Sequence, residues 1–135
     1  MLFKDTSLIA WHCDTIASCF QKTALDNYDS DSFVNEFISN DYCRSILLDD
    51  LAKPYYNWTY MYSKIIKNIK TTKGIARSEY VMWSYGYLLK YWINTKDAYP
   101  EDIVKLMPLS KYDDYFTLYH TLSWNKIISK AINNN

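Results

Sequence analysis

The chain has 135 residues, a formal net charge of zero, 49% hydrophobic residues and 22% charged residues. This length is typical of one domain, and the composition argues against both a disordered chain and a membrane protein. Because only 2 glycines are available for tight turns, helices joined by short loops are favoured over a many-stranded sheet. The sequence therefore predicts a single all-α domain over residues 1–135, a compact bundle of about six to eight short helices around a central aromatic helix.

The first predicted helix covers about Ser7–Thr23. Its apolar residues recur at helical spacing on one side, whereas Asp14 and Ser18 face the other way. Two shorter helices follow, one that ends near Asn40 and one over Tyr42–Ala52. The buried side of the first helix is predicted to comprise Leu8, Ile9, His12, Ile16, Cys19 and Phe20.

The fourth predicted helix lies between Pro54, which suits a first turn, and Gly74, which suits a C-terminal stop. Apolar residues from Trp58 to Ile69 follow helical spacing between these two positions. The segment Tyr55–Tyr62 is rich in residues that favour strands, so a strand there is the alternative. The sequence leaves this choice open.

The segment Tyr80–Ile93 has apolar residues nearly all the way round a helix. A helix of this kind is buried by its neighbours or presents part of its surface to a partner. Only Gly86, Lys90 and Asn94 share a polar edge, and Ser78 is a suitable N-cap. We therefore expect this helix to be the buried centre of the domain.

Two further helices are predicted before the C-terminus. Pro100–Pro108 begins with a proline and two acidic residues, which is typical of a helix start, and ends at a second proline. Ser110–Asp113 resembles a capping box. The final helix is predicted to start after Thr121 or Ser123, with Trp124 on its apolar side.

A weak internal similarity connects the first helix with the central one. When the first is shifted by 72 residues, Trp11 falls on Trp83 and Thr23 falls on Thr95. Two amphipathic helices can always be slid into register, so the sequence leaves open whether the halves 1–74 and 75–135 are related repeats.

No segment has the features of a secretory signal or a membrane-spanning helix. Asp5 and Asp14 interrupt the apolar residues near the N-terminus, and no run of about 18 apolar residues lacks a charge. The cysteines Cys13, Cys19 and Cys43 form no Cys-x-x-Cys pair, so they are predicted to be buried free thiols in a reducing compartment. We therefore expect a cytoplasmic protein.

The charges are segregated along the chain. Residues 25–50 carry seven acidic residues against Arg44, whereas residues 53–77 carry five lysines, one arginine and no acidic residue. One interpretation is a basic helix face that grips phosphates, and the other is a solvated face balanced by the neighbouring acidic segment. The candidate nucleic-acid-binding residues are Lys64, Lys67, Lys70, Lys73 and Arg77.

Catalytic chemistry has little support in the sequence. His12 lies on the apolar side of the first helix and is predicted to be a core residue, and His120 is predicted to lie at a helix end, beside Thr121. No metal-ligand spacing and no glycine-rich phosphate loop is present. We therefore predict no catalytic residues, no metal and no cofactor, and an enzyme acting through His120 is the minority interpretation.

Aromatic residues make up 18% of the chain, and tyrosine and tryptophan are common anchors of protein interfaces. The sequence thus favours a protein-interaction module that neutralises or regulates a partner protein, with a homodimer as another form of association. A nucleic-acid-binding regulator is the alternative. The candidate partner-binding residues are the exposed members of Tyr55, Tyr56, Tyr60, Tyr112 and Tyr115.

Three segments, Gly86–Trp92, Pro100–Leu106 and Tyr119–Leu122, resemble a pattern in small uncharacterised proteins of low-GC bacteria that are encoded beside toxin-like genes. The resemblance covers roughly residues 79–128, with a fainter likeness over Leu8–Phe37. It implies an antitoxin-like or toxin-accessory protein that works by binding, with a toxin encoded nearby as partner.

The chain departs from that pattern at two positions. Ser84 stands where the pattern has a tryptophan, with Trp83 one residue earlier, and Leu89 replaces an aromatic residue. Both departures lie in the predicted central helix.

Overall fold

Within residues 6–49 and 57–133, the ranges that the computed structural model describes, the chain forms nine α-helices and no β-strand. This confirms the all-α prediction. No helix in these ranges is long and apolar enough to cross a membrane. The helices are α1 (Thr6–Leu25), α2 (Ser30–Ser39), α3 (Asp41–Leu48), α4 (Trp58–Asn68), α5 (Glu79–Lys96), α6 (Pro100–Leu106), α7 (Leu109–Asp114), α8 (Phe116–Tyr119) and α9 (Trp124–Asn133).

Helices α1 and α5 form the centre of the bundle. They run in opposite directions, since Gln21 near the end of α1 donates to Glu79 at the start of α5, while Cys13 lies near Lys90. A Cβ atom added at Gly86 of α5 would lie 2.7 Å from Cγ of Phe20, so the two helices approach closely where α5 has no side chain. The predicted buried central helix is confirmed.

The three residues of the predicted polar edge of α5 are buried, which the sequence did not predict. Lys90 is fully buried, and Gly86 and Asn94 are buried beside it. The Lys90 ammonium lies at the C-terminal end of α3, where carbonyl groups have no partner within the helix. It donates to the carbonyls of Ile46, Leu47 and Asp49 at 2.9, 3.0 and 3.0 Å.

Gly74 does not stop α4, contrary to its predicted role. Helix α4 ends at Asn68, and the extended chain beyond it crosses the loop between α1 and α2, where Tyr28 and Lys73 form an isolated β-bridge. The Gly74 N–H donates to the carbonyl of Asn27 at 3.0 Å, and a Cβ at Gly74 would lie 2.7 Å from a carboxylate oxygen of Asp29. Gly74 is therefore needed for close approach between two segments.

The segment for which a strand was the alternative is helical over Trp58–Tyr62, since α4 starts at Trp58 and Asn57 caps it. Its first residues, Tyr55 and Tyr56, and the predicted helix start at Pro54 lie outside the described residues. A strand is therefore wrong for the part that can be compared.

The structure confirms some predicted caps and corrects one. Ser78 accepts from the Tyr80 N–H at 3.2 Å, and Ser123 accepts from the Lys126 N–H at 3.2 Å. The capping box predicted at Ser110 is wrong, because α7 already begins at Leu109. Its predicted acidic partner, Asp113, instead pairs with Arg77 at 2.7 Å.

The three cysteines are buried free thiols, as predicted. Cys13 and Cys19 lie on the inner side of α1, and Cys43 lies in α3. Burial raises the pKa of each thiol to about 12. All three are therefore packing residues, since a reactive cysteine needs a lowered pKa and access to solvent.

Candidate functional site

A pocket of about 440 Å³ lies against the N-terminal half of α5. Its walls come from α1, α5, α7, α8, the loop after α8 and the start of α9. This volume falls within the usual range for small-molecule sites. The lining residues are Gln21, Tyr80, Trp83, Ser84, Tyr112, Phe116, Tyr119, His120, Leu122 and Trp124.

One wall of the pocket comes from the two short helices α7 and α8. Tyr112, Phe116 and Tyr119 are spaced four and three residues apart, so they fall on one face of a helical path. The rings of Tyr112 and Tyr119 stack with centroids 5.4 Å apart, and the centroid of Phe116 lies 5.9 Å from that of Tyr112. These contacts hold the wall as a rigid aromatic surface.

The opposite wall is formed by α5 and by Trp124 at the start of α9. Trp124 stacks on Tyr87 with ring centroids 4.6 Å apart, and Tyr87 in turn lies 5.2 Å from Trp83. The Tyr91 hydroxyl donates to the side-chain oxygen of Asn125 at 3.2 Å. The edge of α5 that reaches solvent is thus aromatic, and it fixes the position of α9.

The Tyr112 hydroxyl is buried and has no hydrogen-bond partner among the described residues. Burial raises the pKa of this phenol to about 12, and nearby Ser84 acts in the opposite direction. The Ser84 hydroxyl itself donates to the carbonyl of Val81 at 3.2 Å. The Tyr112 hydroxyl therefore lies behind the pocket wall, next to Ser84, and does not face the open space of the pocket.

His120 is exposed and follows the last residue of α8, which confirms its predicted position at a helix end. Its Nδ1 lies 2.9 Å from the carbonyl of Phe116, and its ring stacks on the Phe116 ring with centroids 5.4 Å apart. No carboxylate pairs with His120 in the part of the chain that the structure describes. His12 is fully buried, as predicted for a core residue.

No charged side chain lines the pocket within residues 6–49 and 57–133. The side-chain amide of the lining residue Gln21 donates to the Glu79 carboxylate at 3.3 Å. The same ranges contain no cluster of three or more residues that could hold a metal ion. The site is therefore suited to binding through aromatic contacts and a few neutral polar groups.

The predicted partner-binding tyrosines do not form one surface. Tyr60 is 63% exposed on α4, and Tyr115 is 54% exposed beside the pocket, with its ring centroid 6.1 Å from that of Tyr119. Tyr112 is fully buried, because α7 places it against α5, and so it is not an exposed contact. Tyr55 and Tyr56 lie outside the described residues.

The predicted basic face is divided. Lys73 donates to the carbonyl of Asp26 at 2.6 Å, and Arg77 pairs with Asp31 at 3.0 Å and with Asp113 at 2.7 Å. These two residues therefore join the basic segment to acidic residues of the chain. Lys64, Lys67 and Lys70 are exposed, and their ammonium groups form neither an ion pair nor a hydrogen bond with acidic residues in the described part of the chain.

Comparisons with protein families, with curated proteins and with solved structures find no match for this chain. The resemblance to antitoxin-like proteins therefore stays a prediction.

Sequence reasoning missed most of the pocket. Trp83, Phe116 and Trp124 were not among the predicted site residues, although the spacing of Tyr112, Phe116 and Tyr119 was a usable local signal. The pocket itself depends on how α7 and α8 pack against α5, which no local pattern specifies.

Proposed function

We propose that the protein is a non-catalytic binding protein that neutralises or regulates a partner protein through the aromatic surface around this pocket. The observation that supports the proposal is an open, uncharged pocket in which six of the ten lining residues are Phe, Tyr or Trp. Stable interfaces concentrate their binding energy in aromatic anchors set near such pockets.

Exposed aromatic side chains at the rim of the pocket and beside it take no part in the core. Tyr80 is 67% exposed at the start of α5, and Tyr115 is exposed beside Tyr119. Exposed aromatic side chains that lie beside an aromatic pocket are typical anchors of interaction surfaces. We therefore place the partner contact at Tyr80 and Tyr115.

The proposal extends to an antitoxin-like role, in which the partner is a toxin encoded nearby. Its support is the sequence resemblance, one segment of which, Tyr119–Leu122, supplies three of the residues that line the pocket. The Gly86–Trp92 segment is mostly buried and bears on packing.

The test is coexpression of the full chain with the product of each neighbouring gene, followed by an affinity measurement on any complex. Tyr80→Ser removes a rim anchor, and we expect it to weaken the complex by about 30-fold, as for a hot-spot residue. Tyr60→Ser is the matched control, since Tyr60 is similarly exposed but lies on α4. A complex that both variants weaken equally, or that neither weakens, contradicts the proposed surface.

A nucleic-acid-binding regulator is the second candidate, and the exposure of Lys64, Lys67 and Lys70 favours it. Contacts with phosphates would make affinity fall steeply as salt is raised. We expect that the triple change of these lysines to glutamate abolishes any such binding, whereas Lys126→Glu with Lys130→Glu, on α9, leaves it intact. If the protein binds RNA or DNA with an affinity that does not fall as salt is raised, this second candidate function is wrong.

A further inference from the structure

We infer that the face of α4 that carries Tyr60, Lys64 and Lys67 binds single-stranded nucleic acid, with a base stacked on Tyr60 and phosphates held by the lysines. The inference rests on the second candidate function, nucleic-acid binding, and adds to it the form of the nucleic acid and the role of Tyr60. It does not depend on the protein partner proposed for the pocket.

Three residues of α4 share one exposed face. Tyr60, Lys64 and Lys67 are spaced four and three residues apart, so their side chains lie on the same side of the helix. Both lysines are exposed, and Tyr60 is 63% exposed. Lys70, also exposed, follows just beyond the end of α4 at Asn68. The face therefore combines an accessible aromatic ring with cationic side chains.

The lysine next to Tyr60 contacts two aromatic rings. The Lys64 ammonium lies 5.1 Å from the centroid of the Tyr60 ring and 5.9 Å from that of Tyr42, which belongs to α3. Cations at such distances are attracted to the faces of aromatic rings. A phosphate held by Lys64 would therefore lie beside Tyr60, and because Tyr60 is largely exposed, its ring remains accessible to a base of the same strand.

The lysines of this face differ in their partners from the cations that follow them in the chain. Lys73 and Arg77 contact acidic residues or their carbonyls. Lys64, Lys67 and Lys70 form no ion pair within the described ranges, and α4 itself contains no acidic residue. Their charges are therefore available to neutralise phosphates, which is the main source of affinity for nucleic acid.

The exposed ring favours a single strand over a duplex. In a duplex the bases are stacked on one another, whereas the bases of a single strand can stack on an aromatic side chain. A duplex could use the lysines of α4 but not Tyr60. An acidic polypeptide could also use the lysines, but it has no base to stack on the ring. The combination of an exposed tyrosine with lysines thus selects a strand that carries both bases and phosphates.

The test measures binding of the full chain by fluorescence anisotropy to labelled ligands of about 12 nucleotides, a length within the usual site sizes. They are oligo(dT), a strand of the same charge without bases, and a blunt duplex. We expect oligo(dT) to bind about 10-fold more tightly than either of the others, the usual size of one stacked base. Oligo(U) in parallel shows whether RNA or DNA is the preferred single strand.

The salt dependence and the ligand ranking separate the two levels of the proposal. Three phosphate contacts with a single strand predict a slope of log Kobs against log salt of about −2. If the strand without bases or the duplex binds as tightly as oligo(dT), the inferred stacking is wrong, although nucleic-acid binding stands. Displacement of oligo(dT) by polyglutamate at equal charge concentration also contradicts it. If no nucleic acid binds, the second candidate function is wrong as well.

Variants assign the two parts of the site. Tyr60→Ala should weaken oligo(dT) by about 10-fold without changing its salt slope, and should leave the strand without bases unaffected. Lys67→Gln should reduce the magnitude of the slope by about 0.7 for both strands. The matched controls are Tyr99→Ala and Lys130→Gln, at exposed residues outside α4, which should change neither quantity.

Equal effects of Tyr60→Ala and Tyr99→Ala on oligo(dT) would contradict the assignment of the stacking residue. The comparison of oligo(dT) with the strand without bases uses the unaltered chain, so it decides whether bases are stacked even if a variant fails to fold.

Discussion

Tyr85 and Tyr112 are both fully buried, and their ring centroids lie 5.5 Å apart, but they differ in what their hydroxyls contact. The Tyr85 hydroxyl donates to the carbonyl of Met107 at 2.7 Å, whereas the Tyr112 hydroxyl has no partner among the described residues. Tyr85 belongs to the core side of α5, and Tyr112 belongs to the pocket side.

The two sides of α5 also differ in how deeply their side chains are buried. On the core side, Lys90 is buried with hydrogen bonds to three carbonyls at the end of α3. On the pocket side, Tyr80 is exposed and Trp83 is half-buried. Substitutions on the core side of the helix are therefore expected to affect stability more than those on the pocket side.

The largest expected effect is on the core side, at Lys90. Lys90→Met keeps a side chain of similar length but removes three hydrogen bonds, so several buried carbonyls at the end of α3 lose their donor. We expect the free energy of unfolding to fall by about 3 kcal/mol or more. Urea denaturation measures it, with Lys130→Met on the exposed side of α9 as control. An equally small effect of both substitutions would contradict the expected role of Lys90 in stability.

The close approach of α1 and α5 provides the next test. Gly86→Ala places a methyl group 2.7 Å from Cγ of Phe20, so the helices must separate or the ring must move. We expect a loss of about 1–2 kcal/mol in the free energy of unfolding, since overpacking exceeds the gain in helix propensity.

The double variant Phe20→Leu with Gly86→Ala tests the cause. If the added methyl group acts through Phe20, the two changes together cost less than the sum of their separate costs, measured by denaturation as a double-mutant cycle. Additive costs show that the loss at Gly86 arises elsewhere.

The pair Tyr85→Phe and Tyr112→Phe tests the comparison directly. Removing the Tyr85 hydroxyl leaves the Met107 carbonyl without its donor, and we expect a loss of about 1–2 kcal/mol in the free energy of unfolding. Removing the Tyr112 hydroxyl takes away a buried group without a partner, so the change should be near zero or stabilising. Thermal and urea denaturation of both variants would show this, and an equal loss in both would mean that Tyr112 has a partner after all.

Local sequence patterns predicted the helices better than they predicted what those helices bury. Ser78 and the Pro100 start were found because capping depends on residues a few positions apart. Gly74 was misread because its role is set by Asp29, which is distant in sequence. Lys90 was assigned only to a polar edge of α5 for the same reason, since the carbonyls that it contacts lie more than 40 residues away.

The candidate site was harder to predict than the fold. A count of tyrosines selected Tyr112 as a surface anchor, but tertiary packing against Tyr85 buries it. Trp83 and Trp124 were seen only as apolar residues of their helices, because nothing local indicates that they face the same space. Periodicity shows which side of a helix is apolar, and not whether that side meets a neighbour or a cavity.

The smallest expected effect is at Asp29, whose carboxylate contributes to stability through hydrogen bonds. Its carboxylate caps α2 by accepting from the Ser32 N–H at 3.0 Å and also accepts from the Ile75 N–H at 3.4 Å. The Ser32 N–H is the main cause of the lowered pKa of Asp29, since it stabilises the charged form.

Because the pKa of Asp29 is lower in the folded chain, its stabilisation is complete above the unfolded pKa of about 3.9 and is lost as the pH falls through the folded value. We therefore expect Asp29→Asn to make the free energy of unfolding less dependent on pH below about pH 4. Urea denaturation at a series of acidic pH values measures this slope. Asp114→Asn, which removes a charge of the same sign from an exposed side chain of α7, controls for net charge, and an equal change in slope for both variants would assign the effect to charge alone.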